Sequence, residues 1–177
     1  MISQIPTRSE IPECDTWDLS HLFQTEEAYR EAFAQLRTLF PKIADYRTGL
    51  GDSVENLFAC LEFEKRLNLI AERLGHYASL KNAEDSSNNE SLSRQAELTN
   101  LLTKVREVSS FIGPEIQQIT DETFQRFLDD PILAPWKISL LKQPVHSAQF
   151  RIPCQRKRIK PVRLNQLAAL QVLITPP

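Results

Sequence analysis

Residues 53–112 read SVENLFACLEFEKRLNLIAERLGHYASLKNAEDSSNNESLSRQAELTNLLTKVREVSSFI, which is two series of spaced apolar residues separated by a polar interruption. Apolar residues that recur three or four positions apart are typical of an amphipathic helix. The first series is Leu57, Leu61, Phe63, Leu67, Ile70, Leu74 and Tyr77, and the second is Leu92, Ala96, Leu98, Leu101, Leu102, Val105, Val108, Phe111 and Ile112. Ser53 is a suitable N-cap, and the first helix is expected to run for about thirty residues, to near Lys81, unless Gly75 bends it. The polar residues 84–89 then join two long helices into an antiparallel hairpin.

Further helices are predicted on the N-terminal side of this hairpin. Thr25 is a plausible N-cap, and Glu26 and Glu27 follow it at the positive end of the helix dipole. Apolar residues continue at helical spacing, namely Tyr29, Phe33, Leu36 and Phe40 and, beyond a proline, Ile43 and Tyr46. Pro41 is expected to kink this helix or to begin a new turn, and residues 48–51, which include two glycines, end it.

Shorter helices are predicted on the C-terminal side as well. Gly113-Pro114 is expected to stop the second long helix and to start a short helix over residues 115–119. Thr120 or Asp121 caps another helix, which carries Phe124, Phe127 and Leu128, and a last helix begins over residues 136–141. Since no segment alternates convincingly with period two, the predicted fold is all-α: a long antiparallel helical hairpin with shorter flanking helices and an irregular basic C-terminal tail.

The overall composition indicates one ordinary globular domain. The chain has 177 residues, is 41% hydrophobic and carries a formal net charge of −2. Cys14, Cys60 and Cys154 are odd in number, far apart and without a C-x-x-C pair, which excludes a disulfide scaffold and a zinc ribbon. Cys60 is expected to be a small core side chain. No apolar run is long enough to span a bilayer, and the absence of a secretory h-region predicts a cytoplasmic protein.

The charge is distributed unevenly along the chain. Residues 1–140 contain 23 acidic and 14 basic residues, a net charge of −9, whereas residues 141–177 contain seven basic residues and no acidic residue. Such a shift marks a domain boundary or a basic tail. We therefore divide the chain into a flexible N-terminus (1–13), a helical domain (14–141) and a basic, acid-free tail (142–177).

Two interpretations of the tail follow from its composition. Arg156-Lys157-Arg158-Ile159-Lys160 could contact nucleic acid or an anionic membrane, but the tail has few aromatic residues for base stacking. We favour an unstructured sequence without a binding role, so nucleic acid is not an expected partner.

Motifs for catalysis are largely absent from the sequence. A zinc peptidase helix requires His-Glu-x-x-His, but the three histidines are followed by Leu22, Tyr77 and Ser147. There is no G-x-S-x-G elbow, and four glycines could hardly build a phosphate loop. We therefore predict no catalytic, cofactor-binding or metal-binding residue in this chain, and expect a scaffold or a binding surface.

Two of the histidines are candidate site residues. Glu72 and His76 are four residues apart on a predicted helix and could supply two metal ligands, although a third ligand is not evident. A hydrogen bond on the helix surface explains this pair more simply. His21 follows Asp18 in a predicted turn and is expected to be a capping or surface residue rather than a base.

Four patches of this sequence resemble the N-terminal region of oligoendopeptidase F-type enzymes, which are zinc metallopeptidases related to thimet oligopeptidase. Thr16–Phe23 (TWDLSHLF) is similar to the family's T-W-D-L-S-x-L-[FY] start, and Tyr77–Asn88 is similar to its Y-A-x-L-x-x-x-E-D-[ST]-[ST]-N segment. Ser109–Ile116 resembles its S-F-[IF]-x-P-E-[IL] turn, and Asp129-Asp130-Pro131 followed by Trp136 also fits. The resemblance covers residues 14–141.

The resemblance implies a part of a larger enzyme. Its members are mostly helical and enclose short peptides in a deep channel, and their zinc ligands lie far downstream of the patches seen here. It therefore implies an N-terminal lobe that forms one wall of the channel, with no Zn²⁺ site and no peptidase activity of its own. Tyr77–Asn88 is the surface most suited to a role in the full-length enzyme, although connecting two helices explains it equally well. Without the catalytic lobe, self-association through exposed apolar surface is expected.

Two further hypotheses concern residues beyond the resemblance. After Leu141 the family pattern is lost, at the same point where acidic residues stop, so we expect a shift of reading frame near Lys142. The neighbouring DNA would test this, because a frame that encodes H-E-x-x-H should then lie downstream. Alternatively, the chain is a stand-alone helical interaction module whose tail binds anionic partners, and salt-sensitive binding to DNA or acidic vesicles would favour that alternative.

Overall fold

The computed structural model describes residues 10–142. This range is helical and contains no strand, so the predicted all-α fold is confirmed. Residues 1–9 of the N-terminus and the tail beyond residue 142 lie outside the described residues. The expected shift of reading frame and the alternative that the tail binds anionic partners both concern that part of the chain. No helix in the described range combines the length and apolar character that a bilayer crossing requires.

Six α-helices make up most of the described chain, with short 3₁₀ helices between them. The α-helices are α1 (Glu26–Leu39), α2 (Val54–Glu84), α3 (Asn89–Ser109), α4 (Ile112–Gln118), α5 (Asp121–Leu128) and α6 (Lys137–Leu141). The 3₁₀ helices are Glu13–Asp15, Phe40–Tyr46 and Pro131–Leu133.

The predicted hairpin is formed by α2 and α3, and side-chain caps determine where each helix begins. The backbone N–H of Asn56 donates to Ser53 Oγ (3.1 Å) at the start of α2. Asn88 Oδ1 accepts from the N–H groups of Glu90 and Ser91 (2.9 and 3.2 Å) at the start of α3. Each cap satisfies N–H groups that have no partner within the helix. The length of α2, 31 residues, agrees with the sequence-based expectation.

The turn between α1 and α2 contains one strained residue. The N–H of Ala28 donates to Thr25 Oγ1 (3.2 Å), which confirms the predicted cap of α1. Pro41 lies in the first turn of the 3₁₀ helix that follows α1 directly. Thr48 has a φ of 70°, in the left-handed region that a β-branched residue rarely adopts. Its N–H donates to Glu115 Oε1 (2.8 Å), so this turn is bonded to α4.

The end of α3 differs from the prediction. The helix ends at Ser109, and both the N–H and the hydroxyl of Ser110 donate to the carbonyl oxygen of Glu107 (3.3 and 2.7 Å). Gly113 and Pro114 do not stop α3, because they lie within the first turn of α4. In a first turn the missing N–H of proline removes no helical hydrogen bond, so a proline is tolerated there.

One continuous core joins all six helices. Its fully buried side chains include Leu36, Ile43, Leu57, Cys60, Leu67, Leu74, Ile116, Phe124, Leu133 and Leu140. Cys60 is the small core side chain that the sequence predicted, and burial raises the pKa of its thiol to about 12.

The first turns of α3 face the core differently from the prediction. Leu92 is 45% exposed and Ala96 is exposed, whereas Ser91 is buried and only 11% of the Arg94 side chain is exposed. Arg94 forms an ion pair with Glu26 at this end of the hairpin, so the inward position is taken by polar residues. The predicted apolar stripe of α3 therefore reaches the core only from Leu98 onward.

Candidate functional site

The segment Thr16–Phe23 combines a buried anchor with an exposed ring. The N–H of Ser20 donates to Asp18 Oδ1 (2.9 Å), and hydrogen bonding by Ser20 lowers the pKa of this carboxyl. Leu19 and Phe23 are buried, whereas Trp17 is 54% exposed. His21 lies on the surface of the same turn. The anchor thus fixes the segment on the helices and leaves the indole free for contact.

The buried end of this segment packs in a cluster of aromatic rings. The ring of Phe23 lies edge-on to Tyr29 (5.5 Å between centroids) and to Tyr77 (5.3 Å). Arg73 of α2 stacks over Phe23 (4.5 Å), and its Nε donates to the carbonyl oxygen of Leu22 (2.6 Å). Edge-to-face pairs and a cation above a ring both stabilise such a contact. The segments Thr16–Phe23 and Tyr77–Asn88, which both resemble the peptidase family, therefore meet through Phe23 and Tyr77.

A charged cluster lies where α1 approaches the start of α3. Arg94 Nη2 is 3.1 Å from Glu26 Oε1 and 3.3 Å from Glu90 Oε1, and its guanidinium lies over the ring of Tyr29 (5.7 Å). Burial raises the pKa of Tyr29 to about 12, and its hydroxyl has no hydrogen-bond partner among the described residues. A depression of about 370 Å³ opens beside this cluster. The arrangement holds the two helices together, with one cation between two carboxylates.

A second polar contact attaches the C-terminal end of the described chain to α2. Trp136 Nε1 donates to Glu62 Oε1 (2.9 Å), and Lys65 Nζ lies 3.1 Å from Glu62 Oε2 and over the indole ring (5.8 Å). These hydrogen bonds from Lys65 and Trp136 lower the pKa of Glu62. Since Trp136 directly precedes α6, the contact ties the start of α6 to the first half of α2.

The outer face of α2 connects these contacts. Glu62, Lys65, Leu69 and Arg73 are spaced three, four and four residues apart, so they lie within an arc of about 80° on the helix. Glu62 and Lys65 contact Trp136 at one end of this face, and Arg73 contacts Leu22 and Phe23 at the other. Between them Leu69 is 60% exposed.

A groove between α2 and α3 contains the two candidate metal ligands. Glu72 and His76 both line it, together with Gly75, and its volume is about 420 Å³. The described structure has no hydrogen bond between these two side chains, contrary to the simpler explanation of the pair. No group of three His, Cys, Asp or Glu side chains that could hold a metal occurs among residues 10–142. The described residues therefore do not fit the zinc site of the family named above.

The hairpin tip, Tyr77–Asn88, is mainly structural. Tyr77 and Ala78 are buried, Asn88 caps α3, and the N–H of Ser87 donates to Asp85 Oδ1 (3.0 Å). Lys81 pairs with Glu84 (3.1 Å), whose side chain is only 12% exposed. These contacts connect and cap two helices, and sequence reasoning had left that explanation open.

Sequence reasoning missed the two polar contacts that tie distant segments to the hairpin. Glu62 and Lys65 are visible in the sequence as an i, i+3 pair, but their common partner Trp136 is 74 residues away from Glu62. Likewise nothing in the sequence relates Arg94 to Glu26. These contacts bind and position helices, and no nucleophile is paired with a base in them.

Comparison with known proteins relates the chain to a group of peptidases. No protein-family model matches it. It is 30% identical over 129 residues to oligopeptidase PepF of Bacillus subtilis, which is 71% of this chain and 19% of that protein. It is 32% identical over 121 residues to group B oligopeptidase PepB of Streptococcus agalactiae, covering 68% of this chain and 20% of PepB. The chain thus spans about a fifth of the length of the curated relatives it matches.

Solved structures give the same relationship. A crystal structure of a protein described as a peptidase, from Chlamydophila abortus, superposes with a TM-score of 0.71 at 25% identity and covers 79% of this chain and 24% of that one. The oligoendopeptidase-F of Enterococcus faecium superposes with a TM-score of 0.59 at 24% identity, over 64% of this chain and 22% of that one, and supports the fold.

Proposed function

Because this chain is a partial homologue of the oligoendopeptidase F peptidases and covers their N-terminal region, we propose that residues 14–141 act as a noncatalytic helical lobe of such an enzyme. In this role the lobe forms one wall over the peptide channel and restricts entry to short, unstructured peptides. Peptide substrates would then contact it only together with the rest of a full-length enzyme.

Two observations support this proposal: the homology covers most of the chain, and the described helices have a core of their own. Relatives match about 70% of the chain, and the described helices share one continuous hydrophobic cluster. The contact between Phe23 and Tyr77 adds support, because two family-like patches serve to hold this unit together.

The hydrolytic groups are proposed to lie outside this lobe. None of the three histidines in the printed sequence begins a His-Glu-x-x-His motif, the pattern with which a helix presents two imidazoles to zinc. We therefore expect Zn²⁺ to bind to other residues of the enzyme, and the 177-residue chain alone to be inactive on peptides.

Complementation tests the role of the lobe. The 177-residue chain would be co-expressed with Bacillus subtilis PepF from which the matched N-terminal residues have been deleted, and hydrolysis of a short quenched-fluorescence peptide would be measured. We expect the chain to raise hydrolysis at least tenfold above that of the deleted PepF alone. An equal rate with and without the chain would contradict the proposed function.

The activity of the isolated chain is tested separately. The purified chain would be incubated with the same peptide and excess Zn²⁺, with full-length PepF as the positive control, and bound zinc would be counted by mass spectrometry. We expect no turnover and no stoichiometric zinc. Turnover that a chelator abolishes would show that the chain is a peptidase by itself.

Two further properties belong to the same proposal. A reducing, cytoplasmic compartment suits Cys14 and Cys60, neither of which forms a disulfide in the described residues. Self-association of the isolated chain at high concentration is expected, because several large apolar side chains are exposed.

A further inference from the structure

We propose that Trp17, Leu69 and Ile138 mark the surface through which this lobe docks onto the remaining polypeptide of the peptidase. The inference rests on the proposed function, and it adds the location of the interface. We call this surface the outer face; it consists of the exposed side of α2 around Leu69 with the segments that carry Trp17 and Ile138.

Several large apolar side chains are exposed to solvent. Among the described residues, large apolar side chains are exposed at Trp17 (54%), Leu69 (60%), Ile138 (69%) and Leu92 (45%). Single exposed apolar residues are normal on a protein surface, so exposure alone does not indicate an interface. Three of these four, however, belong to neighbouring segments.

Their proximity follows from the contacts on α2. Arg73, one turn after Leu69, binds the carbonyl of Leu22 and stacks on Phe23, which brings the Trp17 segment to that side. Lys65, one turn before Leu69, lies over the indole of Trp136, which brings the start of the segment that carries Ile138 to the other side. Leu69 is therefore flanked along α2 by the segments that carry Trp17 and Ile138.

Charge indicates what kind of partner fits. Within four residues of Leu69, α2 carries three cations, Lys65, Arg66 and Arg73, and a single acid, Glu72, which faces the groove toward α3. Lys65 is paired with Glu62, whereas no ion pair of Arg66 is seen among the described residues. Since symmetric pairing of two copies would bring these cations together, a partner with carboxylates around an apolar centre is favoured over a second copy.

The course of the polypeptide identifies that partner. Ile138 lies four residues before Lys142, so it is close along the chain to the C-terminal end of the described range. The matched region is N-terminal in the curated relatives and makes up only about a fifth of their length, so most of their polypeptide follows it. The remaining part of the enzyme is therefore the surface that lies within reach of the outer face.

Variants in the complementation system test this inference. The 177-residue chain, with Leu69→Glu or Ile138→Glu, would be co-expressed with the deleted Bacillus subtilis PepF, and co-purification and peptide hydrolysis would both be measured. Leu92→Glu is the matched control, because it places the same charge on an exposed leucine of another helix. Circular dichroism would verify that every variant is helical.

We expect Leu69→Glu and Ile138→Glu to reduce co-purification at least tenfold and Leu92→Glu to leave it unchanged. Co-purification that no outer-face variant alters would overturn the inference, and so would a wild-type chain that captures no PepF at all. A stable wild-type homodimer in sedimentation, as distinct from the self-association expected at high concentration, that Leu69→Glu dissociates would assign the face to a second copy instead.

The two readouts separate this inference from the proposed function. Binding that depends on the outer face without a gain in hydrolysis would support the docking surface and contradict the proposed role. A gain in hydrolysis that the outer-face variants leave unchanged would support the proposed role of the lobe and contradict the docking surface.

Discussion

Replacement of Gly75 by alanine tests whether the groove between α2 and α3 is open space. Gly75 lies in the interior of α2, and a Cβ built on it would meet no heavy atom within 4 Å apart from the adjoining backbone of α2 itself. Glycine in a helix interior is less favourable than alanine by about 0.8–1 kcal/mol, because more backbone entropy is lost on folding. Gly75→Ala should therefore raise the free energy of unfolding by about 1 kcal/mol, which corresponds to about 2–4 °C in Tm for a chain of this size.

Urea denaturation followed by circular dichroism would measure the change. Ala96→Gly is a suitable control with the opposite sign, because Ala96 is exposed in the interior of α3 and should lose about 1 kcal/mol. A Gly75→Ala variant that is less stable than wild type would refute the reasoning, since it would mean that a neighbouring backbone approaches Gly75 closely. In that event the glycine would be required by packing, and the groove would be closed in solution.

Three other variants test the electrostatics and the backbone. Burial raises the pKa of Glu64, so the stability that this carboxyl contributes is fully present below its pKa in the unfolded chain and is lost as the pH rises through its pKa in the folded chain. Urea titrations should therefore show that Glu64→Gln becomes more stable relative to wild type between pH 4 and pH 7. A difference in the free energy of unfolding that stays constant over this range would contradict the expectation. Because the pKa of Cys60 is raised to about 12, its thiol should not react with a disulfide reagent at pH 8 in a chain carrying Cys14→Ser and Cys154→Ser until denaturant is added, and rapid labelling of the folded chain would disprove its burial. Thr48→Gly should raise the free energy of unfolding by up to about 1 kcal/mol by relieving the left-handed conformation, and a destabilised variant would show that the side chain contributes more than the strain costs.

Much of the local structure could be predicted because it depends on neighbouring residues. Ser53 and Thr25 were recognised as caps, since a cap bonds to an N–H only three residues away in the chain. The prediction that Gly113-Pro114 ends α3 was wrong for the same reason, because it too relied on neighbouring residues alone. A proline is compatible both with the end of one helix and with the first turn of the next, and only the turn at Ser110 distinguishes the two.

The candidate docking surface was less predictable. The sequence led us to expect an exposed apolar surface somewhere, but the predicted stripe of α3 included Leu92 and Ala96 among the core positions. The inward position belongs to Arg94, because Glu26 from another helix neutralises it there. Periodicity identifies a face of a helix, but it does not reveal which partner that face meets.

The amino-acid sequence by itself determined the helical class of this protein, the hairpin and its polar tip, and the patches that relate it to oligoendopeptidase F. All of these depend on residues a few positions apart, whose spacing is set by the geometry of the helix. Only the tertiary structure decided that Trp136 bonds to Glu62, that Phe23 packs on Tyr77, and that Trp17, Leu69 and Ile138 are exposed on neighbouring segments. Those contacts join residues dozens of positions apart, and their geometry depends on how the helices pack.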